Sequence, residues 1–108
     1  MATKKPELLP GTLEMLILKT LTRGPNHGYG IAQHIQRVSE DTLRIGEGSL
    51  YPALQRLLLD AWVAAAWGTS ETGRQVRLYT ITPAGRKQLA REIEQFDFVL
   101  AGIARVMA

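Results

Sequence analysis

Residues 48–57 read GSLYPALQRL, and this stretch decides the fold that we predict. Its three leucines recur at the spacing of one helix face, so they can dock a short helix on a core. Proline is tolerated in a helix only in the first turn. Pro52 therefore places the predicted start of this helix between Ser49 and Tyr51, with Ser49 as a candidate cap. The remaining face is small and polar.

Two further helices are predicted before this one. Apolar residues recur at helical spacing after Thr12, a plausible N-cap, until the Gly-Pro-Asn of residues 24–26 ends the first helix. The second helix opens at Gly-Tyr-Gly, residues 28–30, and ends near Ser39. We expect the Tyr29 ring to pack in the core while the backbone amides at this helix start form an anion site that suits phosphate.

The pattern then changes to that of a β-hairpin. Residues 62–67 are a short strand candidate, residues 68–73 are a glycine-bounded turn, and residues 74–81 alternate as a second strand does. Thr82 and Pro83 then mark the start of a last helix, with the threonine at the cap and the proline at the first helical position.

The last helix carries an apolar seam with a heptad spacing. Its members are 4, 3, 4, 3 and 4 residues apart, and they are Leu89, Ile93, Phe96, Leu100, Ile103 and Met107. Because no later segment of the sequence can fold back against this seam, we predict that it forms a dimer interface with a second copy of the chain.

The composition is that of an ordinary globular domain. The 108 residues are 45% hydrophobic and 21% charged, with no cysteine and a formal net charge of +3. Disulfides and thiolate zinc sites are therefore excluded. Neither a signal-peptide core nor an apolar run of roughly 20 residues is present, so we expect a cytoplasmic protein without membrane association.

The order of three helices, a hairpin and a long helix predicts a mainly α fold, a winged helix-turn-helix with a C-terminal dimerisation helix. In that architecture the third helix enters the major groove of DNA, and the hairpin, or wing, reaches the backbone. Residues 72–91 hold five cations and no acid, as phosphate binding requires. We divide the chain into an N-terminal arm (1–11), a DNA-binding domain (12–82) and a dimerisation helix (83–108).

Seven polar residues are candidates for contact with double-stranded DNA. Guanidinium, hydroxyl and amide groups suit phosphates and base edges. The candidates are Arg44, Ser49, Tyr51, Gln55, Arg56, Arg74 and Arg77. Structural alternatives stay open: Ser49 as a cap only, Tyr51 packed on the wing, and the arginines solvated.

Catalytic and metal centres are not indicated. His27 and His34 stand seven residues apart without an acid cluster, and the lone Asp60 reads as a helix-end residue. No Ser-His-Asp arrangement, phosphate loop or carboxylate pair is apparent. We therefore predict a protein that is not an enzyme and has no cofactor and no metal.

The aromatic residues allow two interpretations. We expect Trp62 and Trp67 to anchor the wing in the core. Phe96, Phe98 and Val99 could instead line a pocket for a small aromatic effector at the centre of a dimer, although plain packing is favoured.

Four segments carry a resemblance to a known family: residues 13–18 (LEMLIL), 28–31 (GYGI), 48–57 and 79–85 (YTITPAG). They resemble the PadR family of bacterial transcriptional regulators over roughly residues 8–90. The resemblance implies a homodimeric repressor that dimerises through its N- and C-terminal helices. It also implies that many members leave their operator on binding a small aromatic effector. The single short C-terminal helix is similar to the smaller subclass of the family.

One position departs from the family pattern. Ala61 stands where the family usually has glycine before the first wing strand. The backbone at Ala61 is then either without a positive φ or strained.

Two other functions are compatible with these features. A winged helix can be a protein-interaction module whose seam pairs with another protein, and the dimer can bind small molecules with little role for DNA. The dependence of binding on ionic strength distinguishes DNA binding from the protein-interaction module, because phosphate contacts weaken steeply as ionic strength rises whereas apolar contacts do not.

Overall fold

The computed structural model describes residues 11–108, so the predicted arm lies outside the described residues except for Gly11. The elements are α1 (Thr12–Leu21), α2 (Gly28–Val38), α3 (Glu47–Leu59), β1 (Val63–Thr69), β2 (Gln75–Ile81) and α4 (Pro83–Met107). The predicted fold class, three helices followed by a two-stranded hairpin and a long helix, is confirmed.

The core lies where α1, α3 and the base of the hairpin meet. Every helix and both strands supply apolar side chains to it, which together remove a continuous apolar surface from water. The buried residues are Leu13, Ile17, Leu18, Leu21, Ile31, Ile35, Leu50, Ala53, Leu54, Leu57, Val63, Tyr79, Ile81 and Leu89.

The hairpin is antiparallel and its register runs from Val63 opposite Ile81 to Thr69 opposite Gln75. A short bridge extends this sheet, because the backbone of Asn26 donates to Tyr79 O at 3.1 Å and accepts from Tyr79 N at 2.8 Å. The loop between α1 and α2 is thereby fixed to the outer edge of β2.

The two tryptophans differ in their environment. Trp62 is half-buried and packs against the core, as predicted. The prediction for Trp67 is wrong, since this side chain is 75% exposed. The hairpin extends beyond the helices, and Trp67 lies on the part of β1 that has no helix to cover it.

Helix α3 ends in a Schellman motif with Ala61 in the left-handed region, at φ 58°. The amide of Trp62 donates to Leu57 O at 3.0 Å, and that of Ala61 donates to Leu58 O at 3.0 Å. Of the two alternatives for Ala61, the structure has the strained one.

Helix α4 starts as predicted, with Thr82 as the N-cap and Pro83 next to it. The Thr82 hydroxyl accepts from Gly85 N at 3.0 Å and donates to Ala61 O at 2.7 Å. The start of α1 differs from its prediction: Gly11, at φ 85°, is the N-cap, and Thr12 is already helical.

Most of α4 extends away from the rest of the chain. Leu89 is buried in the core, whereas the later seam residues are exposed. Among residues 11–108, no helix has the length and apolarity that crossing a bilayer would demand.

Candidate nucleic-acid interface

Three elements meet at the start of α2. His27 caps this helix, with its Nδ1 accepting from Gly30 N at 3.1 Å, and Asn26 Oδ1 accepts from His27 N at 2.9 Å. The bridge from Asn26 to Tyr79 holds β2 beside the same turn. The first turn of α2, the edge of the wing and α3 are therefore held in a fixed relation.

Tyr51 is the α3 residue at this junction. A Cβ placed on Gly28 would lie 3.0 Å from both Cε1 and Oη of Tyr51, so the phenol ring rests on the first residue of α2. The side chain is still 48% exposed. Tyr51 thus packs on the start of α2 and presents its hydroxyl beside the amide groups that open a helix, a place where anions bind.

The start of α3 corrects the sequence prediction. The helix begins at Glu47 with Gly46 as its N-cap and no side-chain cap bond, so Ser49 does not cap it. Pro52 consequently lies beyond the first turn, where it has no N–H for the carbonyl of Gly48. Because Gly48 is exposed, water can satisfy that carbonyl.

The exposed face of α3 carries small and polar residues along most of its length and ends in an exposed leucine. At 100° per residue, its centre lies opposite the four buried residues and holds Gly48, Pro52 and Gln55, with Leu59, 77% exposed, at its C-terminal end. Tyr51 and Arg56 lie on opposite flanks of this centre. The helix can therefore approach a surface closely with Gln55 at the middle of the contact.

Arg56 is engaged within the protomer. Its Nε donates to Glu14 Oε1 at 2.9 Å, and its second guanidinium nitrogen donates to the same oxygen. The Glu14 side chain on α1 is only 12% exposed, against 59% for Arg56. This ion pair ties α3 to α1 and leaves part of the guanidinium at the surface.

Arg44 is also paired. Its guanidinium donates to Asp41 Oδ2 at 2.6 Å, and this bond and the charge of Asp41 raise the pKa of Arg44. Gln36 donates to the other oxygen of Asp41 at 2.6 Å. These bonds fasten the loop before α3 to the end of α2.

The wing presents two arginines without an acidic partner among the described residues. Arg77 lies on β2 opposite Trp67, and Arg74 follows the turn at Gly73. Ser70 closes this turn, since its amide donates to Arg74 O at 2.8 Å. Both arginines are exposed, so their charge is open to an anionic surface.

The sequence prediction for Tyr29 was also wrong. Its ring is 65% exposed instead of packed in the core, because Gly28 and Ile31 take the buried positions of this turn. The ring stacks parallel to that of His27 with centroids 6.5 Å apart, and its oxygen accepts from Gln33 Nε2 at 3.1 Å.

Arg37 continues this row along α2. Tyr29, Gln33 and Arg37 are four residues apart and exposed, so they form one polar stripe on the helix that precedes α3. The i, i+4, i+8 spacing was the signal in the sequence that could have revealed it.

Histidines do not form a metal site here. Within residues 11–108, no group of three or more His, Cys, Asp or Glu side chains is placed to hold a metal ion. Partial burial lowers the pKa of His34, and the positive charges of Arg23 and Arg37 lower it further. This ring is therefore held towards its neutral form on the flank of α2.

The predicted seam of α4 is divided in the protomer. Leu89 packs in the core of its own chain, and the exposed part of the seam begins at Ile93 and continues to Met107. Phe98, which is 79% exposed, lies on the opposite side of the helix at 100° per residue.

The family is shown by comparison with known proteins. The model of the transcriptional regulator PadR-like family matches residues 17–91. The chain belongs to the PadR-like family. The resemblance seen in the sequence is thereby confirmed, and the members of this family are transcriptional regulators.

Solved structures agree with this assignment. A transcriptional regulator from Clostridium thermocellum is 28% identical and has a TM-score of 0.81, with 88% of this chain and 92% of that chain covered. A PadR family regulator from Clostridium difficile shares the fold, with 22% identity, a TM-score of 0.77 and coverages of 91% and 100%.

A sequence relative is considerably longer than this chain. An uncharacterised 37.1 kDa protein of transposon TN4556 from Streptomyces fradiae is 47% identical over 79 residues. The match covers 73% of this PadR-like chain but 21% of the transposon protein.

Proposed function

We propose that this PadR-like protein is a cytoplasmic, homodimeric repressor that binds a specific DNA sequence. One observation carries the proposal: Tyr51, on one flank of the exposed face of α3, rests on the capped start of α2, and the wing that is bridged to this start carries two arginines without acidic partners among the described residues. Three kinds of phosphate or base contact are thus available on connected elements.

Each element has a role in this proposal. Gln55 and Tyr51 on α3 approach base edges and phosphates in the major groove, with Ser49 in the first turn on a phosphate. The exposed stripe of α2, Tyr29, Gln33 and Arg37, follows the backbone across the groove. Arg44 and Arg56 add charge at the borders while held by Asp41 and Glu14.

The wing supplies contacts that carry no sequence information. Arg74 and Arg77 hold phosphates, so replacing both by alanine should weaken binding to all sequences about equally and flatten the dependence on salt. A loss of affinity confined to one base position would contradict this role.

The exposed seam of α4 pairs two protomers. Ile93, Phe96, Leu100, Ile103 and Met107 present a continuous apolar face, which is costly to leave in water. A two-fold pair places two α3 helices about one helical turn, ~34 Å, apart, so the operator is palindromic.

A small aromatic effector is the proposed release signal. The aromatic residue of the seam, Phe96, lies near the middle of the exposed part of α4. A planar ligand inserted between two such helices changes the angle at which the protomers meet. Its binding energy is then coupled to the affinity of the dimer for DNA.

Selection from a random DNA pool tests the proposal. Purified protein should enrich one palindromic site, and affinity for that site should fall steeply as salt rises. Enrichment of no sequence, together with binding that is insensitive to salt, would refute DNA recognition and favour a protein-interaction module. Titration of intrinsic tryptophan fluorescence with planar aromatics then tests the effector.

A further inference from the structure

The wing holds an aromatic side chain that the contacts proposed above do not use. Trp67 is 75% exposed, although a tryptophan is among the most costly side chains to leave in water. It lies two residues before the end of β1, and in the described part of the chain no side chain forms a ring contact with it.

The register determines which way this side chain points. Val63, Ala65 and Trp67 alternate onto one face of the hairpin, together with Ile81, Tyr79 and Arg77 opposite them. Val63, Tyr79 and Ile81 on this face are buried against the helices. Trp67 and Arg77 therefore extend the helix-facing side of the wing past the protein core.

The neighbours of Trp67 indicate what can cover it. Residues directly opposite in an antiparallel pair have Cβ atoms ~5 Å apart, so the indole and the Arg77 guanidinium reach the same partner. Arg74 lies farther along the same hairpin, and residues 72–91 contain no acid. An apolar ring beside unpaired cations fits a surface that alternates apolar sugars with phosphates.

We propose that Trp67 packs its indole against the deoxyribose wall of the minor groove flanking each half-site, while Arg77 contacts the adjacent phosphate. This inference rests on the proposed DNA binding and deepens it. Non-polar side chains that enter the minor groove contact sugars and base steps irrespective of most of the sequence. Trp67 then contributes to the affinity for DNA without a charge. The DNA contacted by the protein is then longer than the stretch of bases contacted by α3.

Variants with matched controls separate this contact from a charge contact. Trp67→Ala should lower affinity for the selected duplex about tenfold, equivalent to ~1.4 kcal/mol, and leave the salt slope unchanged. Trp67→Phe should retain most of the affinity. Arg77→Ala should lower affinity and also flatten the salt slope. Equal affinities of Trp67→Ala and the wild-type chain would overturn the inference.

Duplex length provides a second test. On a duplex trimmed to the selected half-sites, the wild-type chain should bind as weakly as Trp67→Ala, because the flanking sugars are gone. Restoring the flanks should restore the difference. A difference that persists on the trimmed duplex would exclude the flanking groove as the partner of Trp67.

Fluorescence gives a direct readout that does not depend on affinity. The chain has two tryptophans, so Trp62→Phe leaves Trp67 as the only one, and excitation beyond the absorption band of the three tyrosines selects its indole. Its emission should shift to shorter wavelength and lose accessibility to iodide when the duplex is added. Unchanged emission from a fully bound complex, or a loss of self-association in Trp67→Ala instead of DNA affinity, would overturn the inference. Failure of the wild-type chain to bind any duplex would instead refute the proposed function itself.

Discussion

The phenol ring of Tyr51 rests on the backbone of Gly28, the first residue of α2. A side chain on the third helix is thus positioned by the start of the second. A Cβ at position 28 would lie 3.0 Å from Tyr51 Cε1 and Oη, so even alanine there requires this ring to shift by a few tenths of an ångström.

Gly28→Ala should therefore weaken DNA binding without touching DNA. The phenol has to shift at the start of α2, and we expect affinity for the selected duplex to fall, but by less than the roughly tenfold loss expected for Tyr51→Ala. Gel-shift titration measures both. Sedimentation should show that both variants remain dimers. Unchanged affinity in Tyr51→Ala would remove this residue from the interface.

Arg56→Ala should reduce stability as well as DNA affinity. It removes a pair whose carboxylate, on Glu14, is largely buried, and we expect a loss of about 1 kcal/mol in the free energy of unfolding. Glu14→Gln should lower stability similarly yet keep the cation for DNA. Denaturant unfolding and gel-shift titration distinguish the two effects, and a loss of DNA affinity as large in Glu14→Gln would argue that Arg56 is only structural.

Charges on the α4 seam should separate the protomers. Ile93→Glu together with Leu100→Glu places carboxylates on the exposed apolar face, where pairing would bury them unpaired. Sedimentation should then report monomers. Phe98→Glu is the matched control, since Phe98 lies on the other side of α4 and its replacement should leave the dimer intact. A dimer that survives the double change would refute the seam.

Ala61→Gly should stabilise the fold. Ala61 has a positive φ at the end of α3, and glycine adopts that conformation without the clash of a Cβ, a gain of about 1 kcal/mol. Gly85→Ala provides the contrast, because its Cβ would lie 2.0 Å from the carbonyl oxygen of Trp62. The melting temperature should rise for Ala61→Gly and fall for Gly85→Ala. A lower melting temperature for Ala61→Gly would be inconsistent with strain at this position.

Glu92 should make stability depend on pH. Partial burial raises its pKa above the ordinary 4.5, Glu14 raises it further, the bond from Gln88 opposes the rise, and its Oε2 has no partner among the described residues. Since the folded state holds this proton more tightly, the stability from Glu92 is full below pH 4.5 and declines as pH rises through the raised pKa.

Glu92→Gln removes that decline. Its advantage in melting temperature over the wild-type chain should be small near pH 4 and grow towards pH 7. The exposed Glu94 offers a control, for which the Gln variant should show little change across the series. An advantage of Glu92→Gln that stays constant with pH would contradict the raised pKa.

Most of the fold could be predicted from local sequence patterns. The signals that predicted the helices are local in the sequence. They are the helical spacing, the Gly-Pro-Asn stop and the Thr82-Pro83 start, and each depends only on neighbouring residues. The cap of α3 escaped prediction because Pro52 is tolerated one turn later than expected.

The candidate site could be predicted only in part. Whether Tyr29 and Trp67 are buried or exposed depends on which of their neighbours the tertiary fold covers. Aromatic residues occur both in the core and at the surface, so residue type alone does not decide it. The pairing of Arg56 with Glu14 joins residues 42 positions apart, and no spacing rule connects them. The features of the site that the sequence did not predict are therefore those that depend on long-range packing.

The hydroxyl of Thr82 links the end of α3 to the start of α4, and Gly85 brings the backbones of these segments into close approach. The corner between α3 and α4 is therefore held rigidly. In the proposed dimer, a change in the crossing angle of the two α4 helices would be transmitted through this corner to each α3. On this proposal, a ligand that alters the angle at a distance from the DNA would change the spacing of the two α3 helices, and the pair would no longer match two successive major grooves.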